Sequence, residues 1–152
     1  VIAFLRLWLT RPTFMIKQGF SFGTPVKAAA YSVRPTSSGG LMVESFIVEN
    51  GLSKSGKVSE DGKIHDPYRV DYLRDHFREI LKAVNTDRVP LIGYTMWAPI
   101  DLISLSSREA EKRYGFVFVD LDNSGNGTYQ RKKKDSFFWM KKVIASNGND
   151  LE

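Results

Sequence analysis

Apolar and polar positions change period several times along this chain, and each change marks an element. Phe46-Ile47-Val48, a run of branched and aromatic side chains, stops at Glu49 and is followed by Asn50-Gly51. The run predicts a strand over roughly Glu44 to Val48, covered on both faces, and Asn-Gly predicts the turn that ends it. A polar loop from Ser53 to Lys63 comes next, with glycines at 56 and 62. Then the spacing becomes helical. Val70, Leu73, Phe77, Ile80, Leu81 and Val84 recur at three- and four-residue steps, while Arg69, Asp71, Arg74, Asp75, Arg78, Glu79 and Lys82 take the remaining positions, which predicts a one-faced helix. Asp66 is its expected N-cap and Pro67 its first residue, where a missing N–H costs nothing.

After Pro90, the segment Leu91 to Trp97 predicts a second buried strand, with Gly93 permitting close approach of a neighbour. A third strand is expected from Tyr114 to Val119, ahead of Asp120 and the turn-rich residues 122–127. A last helix is expected from near Asp135 to before Asn147-Gly148, with Phe137, Phe138, Trp139, Met140, Val143 and Ile144 turned to a core. Strand, helix, strand, helix is the cadence of an α/β barrel. Residues 19–40, rich in Gly, Ser, Thr and Pro, predict loop or linker, and no internal repeat is visible.

At 152 residues and 42% hydrophobic content the chain has the size and composition of one globular domain. Cysteine is absent, which excludes disulfides and thiolate metal sites and suits a reducing, cytoplasmic setting. His65 and His76 are far apart and offer little for a metal, so neither metal nor cofactor is expected. The apolar stretch Val1 to Leu9 is broken by Arg6, is too short to span a bilayer and lacks the order of a signal peptide. The net charge of +5, with Arg131-Lys132-Lys133-Lys134 and Lys141-Lys142, raises a nucleic-acid or anion-binding alternative. Such runs more often decorate a solvated face, and no recognisable binding module accompanies this one.

Glu49 stands at the mouth of a predicted buried strand, where barrels built of parallel strands place their chemistry. An acid there also fits a solvated cap or a partner for an Arg. Trp97 closes the second predicted strand and offers an apolar face for a sugar ring together with an indole N–H donor. The alternative for Trp97 is a core residue.

Ile47-Val48-Glu49-Asn50-Gly51 resembles the nucleophile motif of family 1 glycoside hydrolases, the retaining β-glycosidases, in which that Glu attacks the anomeric carbon. Tyr94 to Leu105 resembles the eighth-strand segment of the same family. In ordinary β-glucosidases of the family that segment ends in Glu-Trp, whereas Ser104-Leu105 stands here. Losing a carboxylate removes a repulsion that a phosphorylated sugar would meet. The spacing of Ser104, Lys112 and Tyr114 resembles the phosphate-binding signature of the 6-phospho-β-glycosidases, and a non-aromatic Leu105 is more like the phospho-glucosidases than the phospho-galactosidases.

The resemblance covers about residues 41 to 148 and implies strands 7 and 8, with their helices, of a (β/α)8 TIM barrel. A whole barrel of this kind takes about 250 residues. The chain therefore resembles the C-terminal part of a larger enzyme, with residues 1–40 divergent or irregular and 41–152 the barrel portion. There is no initiating Met. What the resemblance implies is hydrolysis of 6-phospho-β-D-glucosides with Glu49 as nucleophile and Trp97, Ser104, Lys112 and Tyr114 binding a small-molecule substrate. No membrane or nucleic acid takes part, and nothing indicates an oligomeric state. The family's acid/base Glu lies in an Asn-Glu-Pro motif that does not occur in this sequence. Two parallel strands cannot close a barrel, so the chain alone is expected to be inactive and unstable. A non-phosphorylated β-glucosidase is the nearer alternative to this reading, the basic binding module the more distant.

Overall fold

The computed structural model describes residues 14–15, 21–22, 24–25, 28–35 and 37–152. In chain order the elements among them are β1 (Phe14–Met15), β2 (Ser21–Phe22), β3 (Thr24–Pro25), β4 (Ala28–Pro35), β5 (Leu41–Glu49), α1 (Pro67–Asn85), β6 (Leu91–Tyr94), β7 (Val117–Val119), β8 (Arg131–Lys133) and α2 (Asp135–Ala145). They fall into two compact units, one of residues 51–77 and 97–152, the other of the described residues up to Asn50 together with 78–96.

The second unit is organised by one sheet in the order β1-β4-β5-β6. β5 and β6 run parallel, pairing Ser45 with Leu91, Phe46 with Gly93 and Ile47 with Tyr94. In sequence α1 lies between them, the crossover that a parallel pair requires. Gly93 has the role expected of it, since a Cβ there would lie 2.2 Å from the Phe46 ring. On its other edge β5 pairs antiparallel with β4, from Ala28 opposite Glu49 to Pro35 opposite Leu41.

This last pairing corrects, over residues 28–35, the expectation of loop for 19–40, part of which lies outside the described residues. Among the described residues of that Gly/Ser-rich signal, Ser37-Ser38-Gly39 forms a turn, with Gly39 at φ 83°. An unpaired strand edge offers a ladder of hydrogen bonds to any adjacent extended segment, whatever its composition. A second correction concerns burial: β5 is not covered on both faces. Phe46 and Ile47 are half-buried, while Val43 and Val48 are exposed. β6 is also shorter than predicted, ending at Tyr94, and Thr95 just beyond it sets its hydroxyl against the carbonyls of Ile47 and Val48.

The first unit has its own core of Ile64, Leu73, Ala110, Phe118, Trp139, Met140, Val143 and Leu151. Phe77 stacks on Trp139 at 6.0 Å between ring centroids. α2 starts at Asp135 as expected, with Trp139, Met140 and Val143 buried but Phe138 and Ile144 exposed. The strand expected from Tyr114 is confined to β7 and forms a hairpin with β8 that the sequence pattern had not indicated.

Asp66 marks the helix boundary but does not cap α1 with its side chain. Its carboxylate accepts from the Ser136 N–H at 2.9 Å, the Ser136 hydroxyl at 2.6 Å and Arg69 Nε at 3.0 Å, so it satisfies the first turn of α2. Lys134, read as part of a solvated basic run, is 1% exposed and donates to Asp101 Oδ1 at 2.7 Å. Burial pushes the Lys134 amine down and the Asp101 carboxylate pulls it back up.

His65 bridges two acids, Asp135 at 2.6 Å and Asp61 at 3.1 Å. These carboxylates, Asp135 foremost, raise the imidazole above its ordinary 6.5. A raised folded-state value means the bridge contributes its stability in full below the unfolded value and loses it as the pH climbs through the folded one. His65→Gln is therefore expected to flatten the fall in Tm from pH 6 upward. A profile identical to that of the unaltered chain would show that the bridge contributes nothing.

Candidate functional site

Glu49 is the last residue of β5, and its strand end is pinned from the end of β6 and the residue after it. The Thr95 N–H donates to the Ile47 carbonyl at 2.8 Å, and the Tyr94 hydroxyl donates to the buried side chain of Asn50. Glu49 itself is half-buried, and among the described residues its carboxylate enters no ion pair, so the Arg-paired alternative finds no partner there. Asn50-Gly51 does not form the expected turn. Asn50 is held by Tyr94, and Gly51 is a contact point, since a Cβ on it would lie 2.7 Å from Trp97 Cβ and 3.6 Å from Tyr114 Cδ1.

Trp97, Ser104, Lys112 and Tyr114 all belong to the first unit; Glu49 belongs to the second. Trp97 and Tyr114 are brought together around Gly51. Both are half-buried, and among the described residues neither the Trp97 indole N–H nor the Tyr114 hydroxyl is engaged. Ser104 and Lys112 are connected through Glu109: the Ser104 N–H donates to the Glu109 carbonyl at 3.0 Å, and Lys112 Nζ lies 3.2 Å from the Glu109 carboxylate. A hydrogen bond from Ser107, and then one from Lys112, hold that carboxylate below its ordinary range. Ser104 is buried, its hydroxyl 3.3 Å from that of Ser106. Lys112 thus carries an anionic partner in a part-exposed ion pair, a kind of pair that is weak and readily exchanged.

Beneath these side chains lies a buried charged network that residue patterns did not reveal. Arg69 sits on the apolar side of α1 and is 2% exposed, pairing with Asp66 and donating to the carbonyls of Leu52 and Tyr114 at 3.0 and 2.7 Å. Arg113 donates to the carbonyls of Val119 and Leu121. The one sequence signal for Arg69 was its position beside Val70 and Leu73, where a solvated residue would turn away from the core.

No helix among the described residues is long and apolar enough to cross a membrane, and no cluster of acidic and histidine side chains there is suited to a metal. The model of glycosyl hydrolase family 1 matches residues 39–149. The chain belongs to that family. Within glycosyl hydrolase family 1 it is 59% identical over 106 residues to an aryl-phospho-β-D-glucosidase of Bacillus subtilis, covering 70% of this chain and 22% of the relative. It is 56% identical over 107 residues to a 6-phospho-β-glucosidase of Escherichia coli, covering the same shares. Among solved structures, a family 1 β-glucosidase from Thermotoga maritima matches with a TM-score of 0.60 and 39% identity, over 69% of this chain and 22% of that one. The chain thus spans about a fifth of the length of the curated relatives it matches.

Proposed function

We propose that the chemistry encoded here is hydrolysis of 6-phospho-β-D-glucosides by the retaining route of glycosyl hydrolase family 1. Glu49 attacks the anomeric carbon as the C1–O bond breaks and the aglycone leaves, its oxygen protonated by a second carboxyl group. Water, deprotonated by that group, then hydrolyses the glycosyl-enzyme and frees Glu49, while Trp97 stacks on the sugar and Ser104, Lys112 and Tyr114 take the phosphoryl group. The observation that carries the reading is the replacement of a carboxylate by Ser104 in a loop where Glu109 already holds Lys112 in place, alongside relatives named for phosphorylated substrates. β5 and β6, parallel and joined through α1, correspond in this reading to strands 7 and 8 of the (β/α)8 barrel, with residues 41–152 the barrel portion and 1–40 a divergent segment. The retaining mechanism needs a second carboxyl group about 5 to 5.5 Å from the first. No Asn-Glu-Pro is present to supply it, so the chain by itself is expected to be inactive. A cytoplasmic setting accords with the absence of cysteine.

A chimera tests this: the matched 107-residue segment of the Escherichia coli relative is replaced by the corresponding residues of this chain. It should hydrolyse a chromogenic 6-phospho-β-glucoside, and the isolated chain should not. Lys112→Ala in the chimera should raise KM for the phosphorylated substrate by about ten- to a hundredfold, the worth of one charge-assisted hydrogen bond. KM for the non-phosphorylated glucoside should stay within about twofold. An equal effect on both substrates would favour the plain β-glucosidase.

A further inference from the structure

The peptide unit joining Tyr114 to Gly115 is gripped at both polar atoms by buried ions of opposite charge. Its carbonyl accepts from Arg69 Nη1 at 2.7 Å, and its N–H donates to Asp101 Oδ1 at 2.9 Å. Arg69 also donates through Nη2 to the Arg113 carbonyl, and the Lys54 N–H donates to the Lys112 carbonyl at 3.0 Å. Three consecutive carbonyls, at 112, 113 and 114, are thereby taken. Steric contact completes the clamp, since a Cβ on Gly115 would lie 2.3 Å from the Ile100 carbonyl carbon.

The gripping ions are themselves anchored. Asp66, itself held by the Ser136 hydroxyl, pairs with Arg69, while Lys134 holds Asp101. Burying such groups is costly, and apolar residues of similar volume commonly stabilise a fold as well or better. What the ions add is direction. Hydrogen bonds from a planar guanidinium fix backbone carbonyls in orientation, which apolar packing does not.

We propose that Arg69 and Asp101 are positioning residues that preorganise the Lys112-to-Tyr114 segment for a phosphoryl group, so that its backbone is set before ligand arrives. This rests on the phosphate reading above. Preorganisation raises affinity by removing the cost of ordering a loop on binding.

The test uses the full 152-residue chain, isotope-labelled for NMR, with glucose 6-phosphate as probe and glucose as control. Glucose 6-phosphate should shift the Lys112 and Tyr114 amide signals where glucose does not, and Gly115 N–H exchange should already be slow without ligand, changing less than about twofold at saturation. Arg69→Lys keeps the charge facing Asp66 but cannot span the same carbonyls. It should raise the Kd for glucose 6-phosphate at least about tenfold, the worth of one lost charge-assisted hydrogen bond, while the Trp139 indole signal stays in place. A Kd within about twofold of the unaltered chain overturns the proposal and leaves the phosphate reading standing. If Arg69→Lys does not fold, the exchange measurement on the unaltered chain decides, and a Gly115 amide protected only after ligand is added overturns preorganisation. Absence of any glucose 6-phosphate shift in the unaltered chain, with its Trp139 indole and Gly115 amide signals dispersed as in a folded protein, removes the phosphate reading itself, and the proposal with it.

Discussion

Glu49→Gln in the chimeric enzyme is expected to lower kcat on a 6-phospho-β-glucoside by at least about a thousandfold, or about 4 kcal/mol of barrier. Glutamine keeps the size of the side chain and its place at the end of β5 but cannot form a stable bond to the anomeric carbon. The loss should be of similar size for leaving groups of high and low pKa. That distinguishes a nucleophile from an acid, because removing a proton donor matters less as the departing oxygen needs the proton less. Steady-state rates with a set of aryl 6-phospho-β-glucosides provide the measurement. A loss confined to poor leaving groups would reassign Glu49 as the proton donor and remove the mechanism proposed above.

Asp66→Ala is expected to destabilise the first unit by about 3 to 5 kcal/mol, the usual cost of leaving a buried charge without its partner. Asp66 is fully buried, and the substitution strips the Ser136 N–H and hydroxyl of their acceptor while leaving the Arg69 guanidinium without its carboxylate. Asp66→Asn retains an oxygen for Ser136 and should cost less. Denaturant unfolding followed by Trp fluorescence gives both values, since Trp139 lies in that unit's core. A change below about 1 kcal/mol for Asp66→Ala would place the carboxylate among ordinary surface acids and weaken the account of how Arg69 is anchored.

Much of the frame that carries the candidate residues was legible because its signals are local. The end of an apolar run at Glu49, the close approach at Gly93 and the start of α2 at Asp135 each depend on a few neighbouring residues. Lys112 was legible as a cation close to Ser104 in sequence, whereas its pairing with Glu109 was not. Asn50-Gly51 was misread because the same dipeptide serves a turn or a tight contact, and only Trp97 and Tyr114 decide which.

By itself the sequence determined the family, the positions of both helices and the residue types available for sugar-phosphate chemistry, since motif and period are properties of short windows. Tertiary structure alone decided that β4 pairs with β5, that Asp66 serves α2, and that Lys134 leaves a basic run to meet Asp101. The physical reason is separation along the chain. Asp66 and Ser136 are 70 residues apart, and Asp101 and Lys134 are 33 apart. A charge reads as solvated until the fold supplies the opposite charge that lets it be buried.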